Sequence, residues 1–95
     1  MHIIYGIAKT IMDGNKDATQ QLDFAASAKS QGKPEIAMKH VEEAKRRLSG
    51  VKEWHDLGIK TLNAEKPEPI AEAVMELLNQ QCRELMERAN SFKPN

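Results

Sequence analysis

The chain has 95 residues, the size of one small domain, and we expect a single helical domain over residues 1–95. Its 14 Lys and Arg residues balance its 14 Asp and Glu residues, and a net charge of zero argues against a nucleic-acid partner. The basic run Lys45-Arg46-Arg47 also has acidic neighbours that compensate it. Only 4% of the residues are aromatic, so the core must be mainly aliphatic.

The first segment, residues 3–31, carries apolar residues at helical spacing, namely Ile4, Ile7, Ala8, Ile11, Ala18, Leu22 and Ala25. The turn-prone run Asp13-Gly14-Asn15 interrupts this pattern. Because the seven-residue step from Ile11 to Ala18 preserves the apolar face, we predict one helix through Gly14. A glycine inside a helix costs about 1 kcal/mol relative to alanine.

The second segment, residues 34–62, begins after clear signals for the end of one helix and the start of the next. Gly32 suits the end of one helix, and Pro34 suits the first turn of the next. The inner stripe then advances in alternating steps of four and three residues, through Ala37, Val41, Ala44, Leu48, Val51, His55, Gly58 and Leu62. The stripe stays in phase across Gly50, so we predict one continuous helix here as well.

The third segment, residues 69–91, follows an extended link that Pro67 and Pro69 enforce. Its predicted inner stripe consists of Val74, Leu78, Cys82, Leu85, Ala89 and Phe92. No alternating strand pattern occurs. Three long helices joined by short connections predict an all-α, antiparallel up-down-up bundle.

A repeat offers an alternative fold. Lys33-Pro34-Glu35 recurs as Lys66-Pro67-Glu68, and Trp54-His55-Asp56-Leu57-Gly58 has the spacing Trp-x-x-Leu-Gly. Over about 60 residues the chain therefore resembles the tetratricopeptide family. The resemblance implies short helical hairpins that break near Gly14 and Gly50, and a groove that binds peptides. Thr61 and Glu65 depart from the family pattern, where it has a large aromatic residue and a glycine.

Two histidines and a glutamate are candidates for a metal or small-ligand site in the bundle. His40, Glu43 and His55 carry imidazole and carboxylate groups, which are common metal ligands. Four-helix di-iron proteins, however, use Glu-x-x-His, with the carboxylate first. Ala37 and Lys52 stand three residues before the two histidines instead. We therefore expect no cofactor and keep this site as the second function hypothesis.

Cys82 is the only cysteine, and its place on the inner stripe predicts a buried, structural thiol. No phosphate-binding loop, nucleophile elbow or paired-cysteine motif occurs, so we expect no enzymatic activity. A lone cysteine is typical of a reducing compartment. The apolar run at residues 3–8 is too short to cross a membrane and lacks the basic start of a signal peptide. We expect a cytoplasmic protein without a membrane partner.

Surplus apolar residues beside the inner stripes are the strongest functional signal. They are Ile36, Met38, Trp54, Leu57 and Ile59 in the second segment, and Met75, Leu77 and Met86 in the third. Monomers rarely expose apolar patches beyond a few hundred Å². We therefore predict a protein interface, formed most simply in a two-fold homodimer, from Trp54, Leu57, Ile59, Met75, Leu77 and Met86. The leading hypothesis is a self-assembling scaffold or a small adaptor.

Overall fold

The computed structural model describes residues 3–64 and 69–95, which form three helices that pack against each other. Helix α1 spans Ile3–Ser30, α2 spans Pro34–Ala64 and α3 spans Pro69–Ser91. The described residues contain no strand. The predicted all-α bundle of three long helices is confirmed, and its bounds differ by one or two residues. The link predicted before Pro69 lies mainly outside the described residues.

The helices alternate in direction and form a rod of 52 × 19 × 17 Å. Helix α2 runs antiparallel to α1, since Asp17 on α1 pairs with Arg47 and Gln21 pairs with His40. Helix α3 runs parallel to α1, since later residues of α1 contact later residues of α3. Asn15 contacts Leu78, Asp23 contacts Arg88, and Lys29 lies over the Phe92 ring. No described helix contains a stretch long and apolar enough to span a bilayer.

A tight turn joins α1 to α2. Gly32 has a φ of 72°, a left-handed conformation that glycine adopts without a steric penalty. Its N–H donates to the Lys29 carbonyl at 3.0 Å, and the Lys33 N–H donates to the Ala28 carbonyl at 2.9 Å. These two bonds form a Schellman motif, which satisfies carbonyl groups that the helix end would leave free. Pro34 then begins α2, as predicted.

Helices α1 and α2 are continuous through Gly14 and Gly50. The alternative with short tetratricopeptide-like hairpins is therefore wrong, because no helix breaks at either glycine. A side chain at Gly14 would meet Val51 of α2, so this glycine permits a close approach of the two helices. Fully buried alanines line the same contact, namely Ala18, Ala25, Ala37 and Ala44.

The inner stripe of α3 differs from the predicted one. Met75 is 1% exposed and belongs to the core, whereas Val74 is 36% exposed. The buried residues of α3 are Ala71, Met75, Leu78, Cys82 and Ala89. The physical reason lies on α2, where Gly58 leaves space that the end of the Met75 side chain fills. The predictions that Met75 is available to a partner and that Val74 belongs to the buried stripe are both wrong.

Candidate functional site

A stripe of side chains on α3 lies beside α1. Its residues advance in alternating steps of four and three, through Ile70, Val74, Leu77, Gln81, Glu84 and Arg88. The Arg88 guanidinium donates to the Asp23 carboxylate of α1 at 3.0 Å, which places this stripe on the α1 side of α3.

A matching stripe on α1 consists of Tyr5, Met12, Lys16, Thr19 and Asp23. Met12, Lys16 and Thr19 line a groove of about 480 Å³ together with Gln81, Glu84, Leu85 and Arg88 of α3. The two stripes therefore form one elongated surface opposite α2, which we call the α1–α3 face. It consists of the five residues of the α1 stripe and the six of the α3 stripe.

The α1–α3 face is apolar at one end and polar at the other. Five large apolar side chains are exposed near the beginning of α1 and α3, with exposed fractions of 39% for Tyr5, 52% for Met12, 69% for Ile70, 36% for Val74 and 58% for Leu77. The polar end contains Lys16, Thr19, Asp23, Gln81, Glu84 and Arg88. Leu77 is the one predicted interface residue on this face.

Sequence reasoning missed Tyr5, Met12 and Ile70 as surface candidates and assigned Val74 to the core. A signal was present, because Ile70, Val74 and Leu77 have the spacing of one helical face. The same helix, however, carries a second apolar stripe one residue later, at Ala71, Met75 and Leu78. The spacing alone does not decide which of the two stripes faces inward.

A buried polar residue lies beneath this face. Asn15 is 4% exposed, and its side-chain amide donates to the Leu78 carbonyl of α3 at 3.1 Å. Its Oδ1 atom has no hydrogen-bond partner among the described residues. The sequence interpretation treated Asn15 only as part of a turn-prone run. Its position four residues after Ile11 and three before Ala18 was the signal that it faces inward.

The predicted interface residues of α2 do not form one patch. Ile59 lines a groove with Glu72 and Glu76 of α3. Trp54 precedes Ile59 by five residues, which places it about 140° away around the helix. Trp54 instead lies seven residues after Arg47, on the flank of α2 whose Arg47 pairs with Asp17 of α1.

The exposed fractions are 43% for Trp54, 46% for Leu57 and 40% for Ile59. Trp54 and Leu57 are three residues apart and are neighbours on one flank of α2, whereas Ile59 lies on another. Met86 is partly buried and packs against the core. Of the six predicted interface residues, Leu77 is the one that lies on the α1–α3 face.

The histidines and Glu43 have other partners. The His40 ring lies with Nδ1 2.8 Å from the Gln21 side-chain oxygen, and it packs at 57° on the Phe24 ring. Glu43 accepts hydrogen bonds from Arg46 and Arg47. The hydrogen bond from Arg46 is the largest cause that lowers the pKa of the Glu43 carboxyl.

The structure does not bring the three metal candidates together within one chain. His55 is twelve residues from Glu43 on the same helix, a distance of about 18 Å along its axis. Among the described residues, the ion-pair contact of His55 is to Asp56, with 4.0 Å between Nδ1 and Oδ1. The described part of the chain contains no group of three or more side chains arranged to hold a metal ion.

Cys82 is 8% exposed and faces the core, as predicted. Its Sγ atom lies 3.8 Å from the Leu48 carbonyl of α2. Burial raises the pKa of the thiol, and the nearby Lys52 ammonium only partly opposes this shift. A raised pKa and a buried sulfur suit a packing residue rather than a nucleophile.

Comparisons with protein-family models, curated proteins and solved structures give no match to this chain. The geometry and chemistry of its own residues are therefore what bears on its function.

Proposed function

We propose that this chain is a non-enzymatic helical-bundle protein that acts through protein association, as a self-assembling scaffold that forms a homodimer. The proposed interface is the α1–α3 face. The single observation that carries the proposal is the cluster of Tyr5, Met12, Ile70, Val74 and Leu77 at one end of that face, each more than a third exposed.

Leaving this apolar surface in water has a cost in free energy. Full burial of one large apolar side chain contributes about 1.5–3 kcal/mol. Each of the five is partly exposed, so a substantial part of that free energy is available to a partner. The clustering matters more than the number, because scattered exposed apolar residues are ordinary whereas contiguous ones mark interaction sites.

Cys82 supports the non-enzymatic part of the proposal. It is the only thiol, and its burial and raised pKa disfavour the thiolate that nucleophilic chemistry requires. A free cysteine also suits the reducing cytoplasm, which is the location we propose. Association with a different protein would make the chain a small adaptor instead of a self-assembling one.

The test is sedimentation equilibrium of the purified chain from low micromolar to several hundred micromolar. We expect a concentration-dependent dimer that Leu77→Glu dissociates, because the substitution places a charge within the apolar cluster. Leu57→Glu is the matched control, since Leu57 is also exposed but lies on α2. A monomer at every concentration would overturn the proposal. Loss of the dimer in Leu57→Glu but not in Leu77→Glu would overturn the assignment to the α1–α3 face.

A further inference from the structure

We propose that the second copy binds the α1–α3 face in a parallel arrangement, with a two-fold axis along the rod, so that α1 of one copy lies on α3 of the other. This inference rests on the proposed homodimer and specifies its geometry. A second copy suits this face because apolar and charged groups follow the same order along both stripes, and because the face offers enough area.

Two contacts fix the register of α1 against α3 within one chain. Asn15 contacts Leu78 and Asp23 contacts Arg88, at sequence separations of 63 and 65. Residues of α1 therefore lie level with residues of α3 that are about 64 positions later. Three pairs of residues therefore lie at the same height along the rod, namely Tyr5 with Ile70, Met12 with Leu77, and Lys16 with Gln81.

A two-fold axis along the rod leaves the height of each residue along the rod unchanged, so the same pairs face each other across the dimer. Tyr5 then faces the partner's Ile70, and Met12 faces the partner's Leu77, so apolar groups meet apolar groups. At the polar end, Asp23 faces the partner's Arg88, so opposite charges meet. Every contact also occurs twice, because a two-fold interface is isologous.

Lys16 and Glu84, which line the same groove within one chain, also have opposite charges. Lys16 has no ion-pair partner in the part of the chain that the structure describes, and Glu84 accepts only a 3.3 Å bond from the Gln80 amide. Glu84 lies three residues beyond the level of Lys16, or about 4.5 Å along the helix. A lysine side chain spans that offset, so Lys16 pairs with the partner's Glu84 in the parallel dimer.

The antiparallel arrangement lacks this complementarity. It would place α1 on α1 and α3 on α3 with the levels reversed. With full overlap, Ile70 would face the partner's Arg88, and Tyr5 would face the partner's Asp23. An antiparallel pair could avoid these contacts only by overlapping the apolar ends, which would bury about half of the face.

The full face is large enough for a specific interface, whereas half of it is not. Its α3 stripe runs from Ile70 to Arg88 and is therefore about 27 Å long. Two helices packed about 10 Å apart are roughly 20 Å wide, so the face covers roughly 540 Å² on each partner. Two such faces bury about 1,100 Å² in total, and a biological interface needs to bury about 1,000 Å². Half of the face would fall well short of that value.

Mixed-disulfide formation tests the arrangement, with all chains carrying Cys82→Ala. We expect a mixture of Met12→Cys and Leu77→Cys chains to form a disulfide-linked heterodimer under mild oxidation. A mixture of Asp23→Cys and Arg88→Cys chains should do the same at the polar end. Met12→Cys mixed with Arg88→Cys is the control, because these positions differ by about 17 Å along the rod and should not link.

Sedimentation of the Cys82→Ala chain and of the same mixtures before oxidation separates the two possible failures. The absence of a dimer from the Cys82→Ala chain overturns the proposed function. A dimer in which neither matched mixture links, or in which Leu77→Cys links with Gln81→Cys instead of Met12→Cys, overturns only the parallel arrangement.

Charge exchange provides a second readout. Lys16→Glu and Glu84→Lys should each weaken the dimer roughly tenfold, because two attractive pairs become repulsive. The double variant should restore the dimer to within a few fold of the original dissociation constant. A double variant that stays as weak as either single variant overturns the contact between Lys16 and the partner's Glu84.

Discussion

Asn15 ties α1 to the backbone of α3, through a 3.1 Å hydrogen bond from its side-chain amide to the Leu78 carbonyl. The other end of the same amide, Oδ1, is buried without a partner among the described residues. A buried acceptor without a hydrogen bond costs about 1–3 kcal/mol. This residue therefore positions α3 against α1 at some expense in stability.

We predict that Asn15→Leu raises the free energy of unfolding by about 1–2 kcal/mol, because it removes a buried polar group and adds apolar volume. Asn15→Asp keeps the shape but leaves no donor for the Leu78 carbonyl and buries a charge. It should lower the free energy of unfolding by about 3 kcal/mol or more. Urea denaturation of the three proteins measures both effects, and a stabilised Asn15→Asp variant would contradict this account.

Gly14 and Gly50 should respond oppositely to substitution by alanine. A β-carbon at Gly14 would overlap the branched Val51 side chain, which cannot move away cheaply, whereas nothing lies within 4 Å of a β-carbon at Gly50. Gly50→Ala should stabilise the protein by about 0.5–1 kcal/mol through helix propensity. Gly14→Ala should destabilise it by about 1–3 kcal/mol. Thermal unfolding of the two variants compares them directly, and equal shifts would disprove the close approach at Gly14.

Val74 and Met75 are adjacent in sequence but should differ sharply in their effect on stability. Met75→Ala removes a fully buried side chain and should cost about 2–5 kcal/mol. Val74→Ala changes a partly exposed residue and should alter the free energy of unfolding of the monomer by about 0.5 kcal/mol or less. Denaturation at dilute concentration, where any dimer dissociates, provides the measurement. A larger loss of stability for Val74→Ala than for Met75→Ala would support the inner stripe that the sequence predicted.

Cys82 should make stability depend on pH in the alkaline range. Its folded pKa lies above the ordinary value of 9.0, so the buried thiol favours folding while it stays protonated. This contribution is complete below the pKa of the unfolded chain and is lost as the pH rises towards the folded pKa. We expect a fall in stability above about pH 9 that is smaller in Cys82→Ala, which removes only this group. Identical pH profiles of stability in the original protein and in Cys82→Ala would contradict this prediction.

Much of the fold was predictable because local signals agree with each other. Gly32 and Pro34 mark one connection, and the stripes of α1 and α2 keep their phase across Gly14 and Gly50. The inner face of α3 was not predictable from α3 alone, because two neighbouring apolar stripes have the same spacing. Gly58, on a different helix, decides between them by leaving room for Met75.

The candidate surface was less predictable for a related reason. Trp54, Leu57 and Ile59 are close in sequence, but the position of α3 against α2 determines which of them border another helix. The α1–α3 face depends on residues about 64 positions apart, and no local pattern in one helix identifies such a pairing.

The tight turn at Gly32 has a consequence for the order of folding. It joins α1 and α2 with only residues 31–33 between them, so the entropy lost in closing this hairpin is small. Helices α1 and α2 also contact each other more extensively than either contacts α3. The hairpin should therefore form first, and α3 should dock late and open most readily. Because α3 carries half of the α1–α3 face, amide hydrogen exchange in α3 should slow when the chain associates.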